Sequence, residues 1–522
     1  MARNGTDETI IIGAGIGGLV AAVDLAAAGH PVTVVEAADA PGGKMRTVPS
    51  AAGPVDAGPT VFTMSWVFEQ VFQAAGATLS DRLDIVPLET LARHHWREGP
   101  SLDLFADPGR SRDAVGAFAG AQAAREFDAF TARAQRLFEA FDEPMMQSAD
   151  PTPLSVAKAT VARRPGLLAD MAPLSSLAGL LRKSFSDPRL RQLFGRYATY
   201  VGGSPFQSPA LLALIWQAEA SGVGRIAGGM AALAKALADL AAENGASFRF
   251  NEPAAEIEVD GGVTAVRLAS GERLPARRVL YNGDPAALAD GHLGDGVQTA
   301  GERRPATKRS LSAWVWTFAA EAPADLPHHS VVFSGDYAAE FRALFRERRL
   351  AEDPTLYLCA QDSAAEGPGP KRFQIIMNAP ARTEGPEEGE WMPWTTKVFA
   401  RLAKAGLTLS PTPERAALTT PSQFAQLFPG SQGAIYGAHP HGTMAAFGRP
   451  RARTRIPGLY LAGGGCHPGP GIPMAALSGQ HAAAAMIADR ASTSRSRRTA
   501  TRGGMSTVSP TTANAASRSL PS

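Results

Sequence analysis

Gly13, Gly15 and Gly18 spell G-x-G-x-x-G within "GAGIGG", and Glu36 stands 23 residues beyond Gly13. Those types at that spacing suit a dinucleotide. The first glycine permits a sharp turn, the second lets a pyrophosphate approach the backbone, and the third lets a helix pack closely on a strand. Free N–H groups at the helix start favour the phosphates, and the carboxylate takes ribose hydroxyls. Gly13, Ala14, Gly15, Gly17, Gly18 and Glu36 are therefore the expected contacts of FAD or NAD. A second glycine cluster, "AGGGCHPGPGIPMAAL", occupies residues 462–477. It too leads from an apolar strand into a helix.

Other reactive side chains make weaker sets. Cys359 and Cys466 are the two cysteines, and they lack the spacing of a zinc or iron–sulfur site. His94-His95 and the "HPHG" histidines, His439 and His441, have no nearby acid or cysteine to complete a ligand set, so they read as ordinary polar surface. No metal site is expected. His467 reads as a hydrogen-bond partner within its turn, and Asp336 in "SGDY" as part of a solvated turn. Trp314, Trp316, Trp391 and Trp394 line either a lipid-like pocket or, as most tryptophans do, a core. No catalytic dyad is legible.

The elements that must position these residues follow from pattern. "TIII" is a β-branched strand, "LVAAVDLAAAG" a helix stopped by Gly29, and "PVTVVE" a second strand, which completes a βαβ unit. Residues 110–220 turn helical, and 255–285 alternate like a meander of strands. With 522 residues the chain can hold more than one core. The formal charge is +2, but the six arginines after Asp489 supply that excess, and the body is mildly acidic. Nothing resembles a nucleic-acid footprint. No signal peptide and no run long enough to span a bilayer is visible, so a cytoplasmic protein, free or lying on a membrane, is expected. Residues 492–522 lack apolar periodicity and read as disordered.

The run from Gly13 to Arg46, with "DAGPT" at 56–60, resembles the FAD-binding entry of the flavin amine oxidase and carotenoid desaturase superfamily. The closing cluster is similar to that of the phytoene desaturase-type enzymes, and "LPHHSVVFSGDYAAEF" to a desaturase signature. Pro470 and Met474 depart from the phytoene branch and resemble the enzymes that desaturate 1-hydroxy- or 1-methoxycarotenoids at C3–C4. The resemblance implies FAD rather than NAD. It places Lys44, Arg46, Pro59 and Thr60 near the cofactor, Ala254 at the adenine, and Gly464, Ile472, Pro473 and Met474 at the flavin ring.

The fold so implied is α/β: a doubly wound FAD-binding Rossmann-type domain with an inserted α+β substrate domain. The cofactor domain would comprise 1–100, 226–300 and 436–491, a helical substrate or membrane-facing region 101–225, and a substrate sheet 301–435. The implied reaction removes two hydrogens from an acyclic carotenoid. A hydride passes to the flavin and a proton to a base or water, with oxygen or a quinone as terminal acceptor. Desaturation of phytoene or neurosporene, carotenoid isomerisation, amine oxidation and non-catalytic carotenoid carriage are the competing readings. A carotenoid must come from a bilayer, so peripheral attachment is expected through "GLLADMAPLSSLAGLLRKSF" and "SPALLALIWQAEA".

Overall fold

The computed structural model describes residues 8–323, 325–363, 369–385 and 389–502. Five parallel strands form the first sheet, in the order Leu459–Leu461, Arg278–Tyr281, Thr9–Ile12, Val32–Val35, Ser247–Arg249. The central strands read as unbroken β-branched runs because both faces are covered. Ile11, Val34 and Leu280 enter one core with the helices Ile16–Ala27, Met230–Glu243 and Ile472–Arg502. Ile10, Ile12, Val35 and Val279 enter the other, under an antiparallel meander of Ala254–Val259, Val263–Leu268 and Arg273–Pro275. Two segments more than 400 residues apart thus share one sheet, as a doubly wound domain requires.

A second, seven-stranded sheet runs Leu418–Thr419, Ser312–Ala320, Lys371–Ala379, Leu356–Ala360, His329–Val332, Thr90–His95, Leu102–Phe105. Its first strands in the chain lie well before the substrate sheet expected to begin at 301. The expected boundary at 100 therefore moves, because Thr90–His95 pairs in parallel with His329–Val332. Alternation divides the sheet into unlike faces. Trp314, Trp316, Phe318, Leu356, Leu358, Phe373, Ile375 and Met377 pack on one side against the helix Trp391–Lys404. These tryptophans are core. The intervening positions form a polar row on the other side, since His329 pairs with Cys359, Cys359 with Gln374, and Gln374 with Thr317.

Residues 108–220 build the helical layer, centred on Phe127, Phe130, Phe185, Phe194, Tyr197 and Trp216. The two segments expected at a membrane divide between core and surface. Leu167, Leu177, Leu180, Leu181 and Trp216 are buried, whereas Leu168 and Leu174 are exposed. The expected disorder from 492 is corrected as far as 502: the last helix continues through Arg502, and residues 503–522 lie outside the described residues. Among the described residues no helix is long and apolar enough to cross a membrane.

Candidate cofactor and substrate site

The two glycine turns meet face to face. A Cβ on Gly18 would lie 2.2 Å from the Gly13 carbonyl oxygen, one on Gly17 2.9 Å from the Gly463 nitrogen, and one on Gly479 2.2 Å from the Gly17 oxygen. Side chains at any of these would push the first helix off its strand or off the closing helix. No side chain caps the first helix, whose N-cap is Gly15, so its leading N–H groups stay available to an anion. Glu36 accepts hydrogen bonds from the backbone of Ala14 (2.6 Å) and Ala38 (2.9 Å), which fixes its carboxylate beside the turn. The turn before Ala254 runs along the same edge, where Glu252 N–H donates to the Glu36 carbonyl. An uncapped helix start, a side-chain-free cradle and a held carboxylate fit the pyrophosphate and ribose of a dinucleotide.

Asn282 occupies the seam between the turns. Its amide donates to the Gly13 carbonyl at 3.1 Å, while its Oδ1 is buried without a partner and would lie 2.7 Å from a Cβ on Gly17. Nothing in the chain's spacing places Asn282 between the glycine turns; the sheet does. In the closing turn, Gly463 N–H donates to Ser478, and Gly464 accepts from Arg449, whose pKa burial lowers to about 10. Ile472 and Pro473 open the last helix, and Met474 packs half-buried on the first core. His467 bonds the Ser148 carbonyl at 2.8 Å and stacks on His481, so it docks the helical layer, in keeping with a structural role.

The 42–60 loop carries the remaining expected residues towards the second sheet. Lys44 is half-buried, donates to the Ile435 carbonyl at 2.8 Å, and has its pKa lowered by desolvation. Arg46 donates to Thr419. Both cations thus reach residues of the second half of the chain. Asp56, quoted in the sequence without a role, caps the helix Met230–Glu243 by accepting from Met230 N–H at 2.6 Å. Gly58 and Thr60, which flank Pro59, bridge to the polar row. Gln374 donates to the Gly58 carbonyl at 2.9 Å, and Thr60 shares a 2.6 Å hydrogen bond with Tyr357.

Tyr357 in turn bonds His329 Nδ1 at 2.7 Å. Burial, with smaller contributions from His328 and Arg196, holds His329 well below the usual histidine range, and burial raises the Tyr357 phenol. The relay is therefore neutral. Cys359 Sγ lies 3.6 Å from His328 Nε2, and donor atoms of His328, His329 and Cys359 all fall within 4.8 Å of one another. Chain spacing gave no hint of that grouping, because strand pairing creates it. Behind the relay, Glu219 accepts from Tyr197 (2.8 Å), Tyr200 (2.6 Å) and Arg196 (3.3 Å). This buried ion pair is expensive to desolvate and tolerable only because the surrounding hydroxyls complete it.

The remaining histidines depart from the surface expectation. His94 is fully buried, stacks on Phe333 and bonds the Leu102 carbonyl, while His441 accepts from Ser204 N–H. Asp336 caps a short helix by accepting from Ala339 N–H.

The chain matches the family described as "Flavin containing amine oxidoreductase" over residues 16–487. It is 51% identical to a hydroxyneurosporene desaturase of Cereibacter sphaeroides, over 94% of this chain and 99% of that one. A hydroxyneurosporene desaturase of Rubrivivax gelatinosus is 46% identical over 97% of this chain and 98% of its own. A phytoene desaturase (lycopene-forming) of Paracoccus sp. is 30% identical over 92% and 98%. Among solved structures, putrescine oxidase bound to putrescine superposes with a TM-score of 0.58 at 15% identity, covering 92% of this chain and 99% of that one. That likeness concerns the fold alone. The chain belongs to the flavin containing amine oxidoreductase family, on its carotenoid desaturase branch.

Proposed function

We propose that the protein removes two hydrogens from C3–C4 of an acyclic carotenoid bearing a hydroxyl or methoxyl at C1. The observation that carries this reading is the 46–51% identity, over nearly the whole chain, to hydroxyneurosporene desaturases, against 28–30% to phytoene desaturases. FAD, bound across the two glycine turns, supplies the two-electron acceptor that such a desaturation requires.

In this reading Gly13, Ala14, Gly15, Gly17 and Gly18 receive the pyrophosphate, Glu36 the ribose, and the Ala254 backbone the adenine. Gly464, Ile472, Pro473 and Met474 stand at the ring end, while Lys44, Arg46, Pro59 and Thr60 close the loop over it. The boundary between cofactor half and substrate half lies near residue 90, where the chain enters the second sheet. The polyene lies on the polar-row face of that sheet, under the aromatic helical layer, where packing excludes water. A cation developing along a polyene is delocalised, so the neutral surroundings of His329 and Tyr357 suffice without a strongly tuned base.

The substrate enters from a bilayer. Leu174 and Met444 are exposed, and their neighbours touch: Thr443 donates to the Pro173 carbonyl at 3.5 Å, and Gly442 N–H to the carbonyl of Gln207, next to exposed Phe206. Arg163 and Arg164 lie exposed nearby in the chain, the sign that anionic headgroups attract. Leu174→Asp combined with Met444→Asp should release the protein from anionic liposomes in flotation. Equal flotation of parent and variant sinks this attachment.

The decisive assay compares phytoene, neurosporene and 1-hydroxyneurosporene side by side, with products identified by chromatography and mass. Conversion of 1-hydroxyneurosporene with a red-shifted spectrum is expected. Stepwise conversion of phytoene, with none of the hydroxylated substrate, would move the protein to the phytoene branch.

A further inference from the structure

Two side chains of the polar row reach the substrate face with a polar atom unused. His329 is 2% exposed and its Nε2 is buried without a partner; Gln374 is 0% exposed and its Oε1 is likewise unpartnered. They stand on either side of Cys359 in one row of the sheet. Their other ends are fixed, His329 Nδ1 by Tyr357 and Gln374 Nε2 by the Gly58 carbonyl. A free buried polar atom is costly unless a ligand meets it. Two of them, held rigidly from behind on one strand row, make a site for a small polar group.

The geometry of the proposed reaction says which group. C4, the carbon beside the conjugated system, gives up the hydride, and C1 is three bonds from it, each about 1.5 Å. A carbon giving up hydride must stand roughly 3–3.5 Å from its acceptor. The C1 oxygen therefore lies within roughly 9 Å of the acceptor atom. It cannot be recognised at the far end of a tunnel. Its partners must adjoin the cofactor loop, and the row touches that loop at Gly58 and Thr60.

We propose that His329 and Gln374 receive the oxygen of the C1 substituent and thereby set the enzyme's preference for oxygenated carotenoids, an inference resting on the C3–C4 reading above. With Tyr357 donating to Nδ1, His329 carries its proton on Nε2. It then donates to the oxygen of either a hydroxyl or a methoxyl. A hydroxyl can also donate to Gln374 Oε1; a methoxyl cannot, which grades the two substrates. Thr60 and Tyr357 act as positioning residues that hold the tautomer.

The test uses the FAD-loaded full chain carrying His329→Leu, Gln374→Leu, His329→Gln or Tyr357→Phe, assayed with 1-hydroxyneurosporene, 1-methoxyneurosporene and neurosporene. The ratio of kcat/KM for the hydroxylated over the plain substrate should fall about tenfold to a hundredfold in His329→Leu. His329→Gln, which keeps a donor, should restore most of it, and Gln374→Leu should lower the hydroxyl-to-methoxyl ratio. Binding of each pigment from liposomes to the FAD-free protein, read by absorption, should follow the same order. If the parent converts 1-hydroxyneurosporene and the variants lower both substrates equally, the inference fails and the reaction stands. Should the parent ignore that substrate, the C3–C4 reading itself falls. A His329→Leu chain that does not fold leaves Gln374→Leu and the binding series to decide, and unchanged ratios there overturn the proposal.

Discussion

The glycine seam and the polar row solve opposite problems with opposite means. At the seam, Gly17, Gly18, Gly463 and Gly479 carry no side chains, so that two helices and a strand can close on one another and leave backbone N–H groups for an anion. At the row, large polar side chains fill the space, and strand register brings them together from positions 317 to 374. The seam tolerates no added atom. The row tolerates no lost partner.

That contrast can be broken in order of expected effect. The largest belongs to the network behind the row. Glu219→Ala leaves the Arg196 guanidinium buried and uncompensated, and should cost about 3–5 kcal/mol in urea unfolding. The double variant Arg196→Met/Glu219→Met should regain most of that loss. A single variant as stable as the parent would mean that water reaches the pair.

Acid should weaken both regions. Burial lowers His467, at the seam, and His328, at the row, to about 4. Each is neutral in the fold and protonates in the unfolded chain first. Stability is therefore intact above about pH 6.5 and falls as pH drops from there towards 4, by about 3 kcal/mol per histidine at the low end. His467→Gln and His328→Gln should each flatten the pH dependence of urea midpoints. Curves as steep as the parent's would place the titration elsewhere.

At the seam itself, Gly18→Ala drives a Cβ towards the Gly13 carbonyl and should cost about 1–3 kcal/mol, with loss of retained flavin measured by absorbance after desalting. Gly29→Ala is the smallest effect. That glycine ends the same helix at φ 75° with no atom within 4 Å of an added Cβ, so about 1 kcal/mol and full flavin retention are expected. Equal flavin loss in both would show that helix stability, not the close seam, governs loading.

The two glycine turns of the seam are legible in the residues alone. Gly13, Gly15 and Gly18 between "TIII" and an alanine-rich helix, with Glu36 ending the next strand, encode their geometry locally, because a turn and its helix form within a short stretch of chain. The second glycine run announced itself in the same way. The remaining groupings arise from long-range packing. Asn282 lies between the turns because its strand inserts beside Thr9–Ile12, a placement that no spacing encodes. His329, Tyr357, Cys359 and Gln374 are ordinary residues of apolar strands until register aligns them. Arg196 and Glu219 belong to separate helical turns that only packing joins. A one-residue slip of one of these sheet strands would turn its polar side chain towards the tryptophan core, so the row's chemistry exists only once the sheet is assembled.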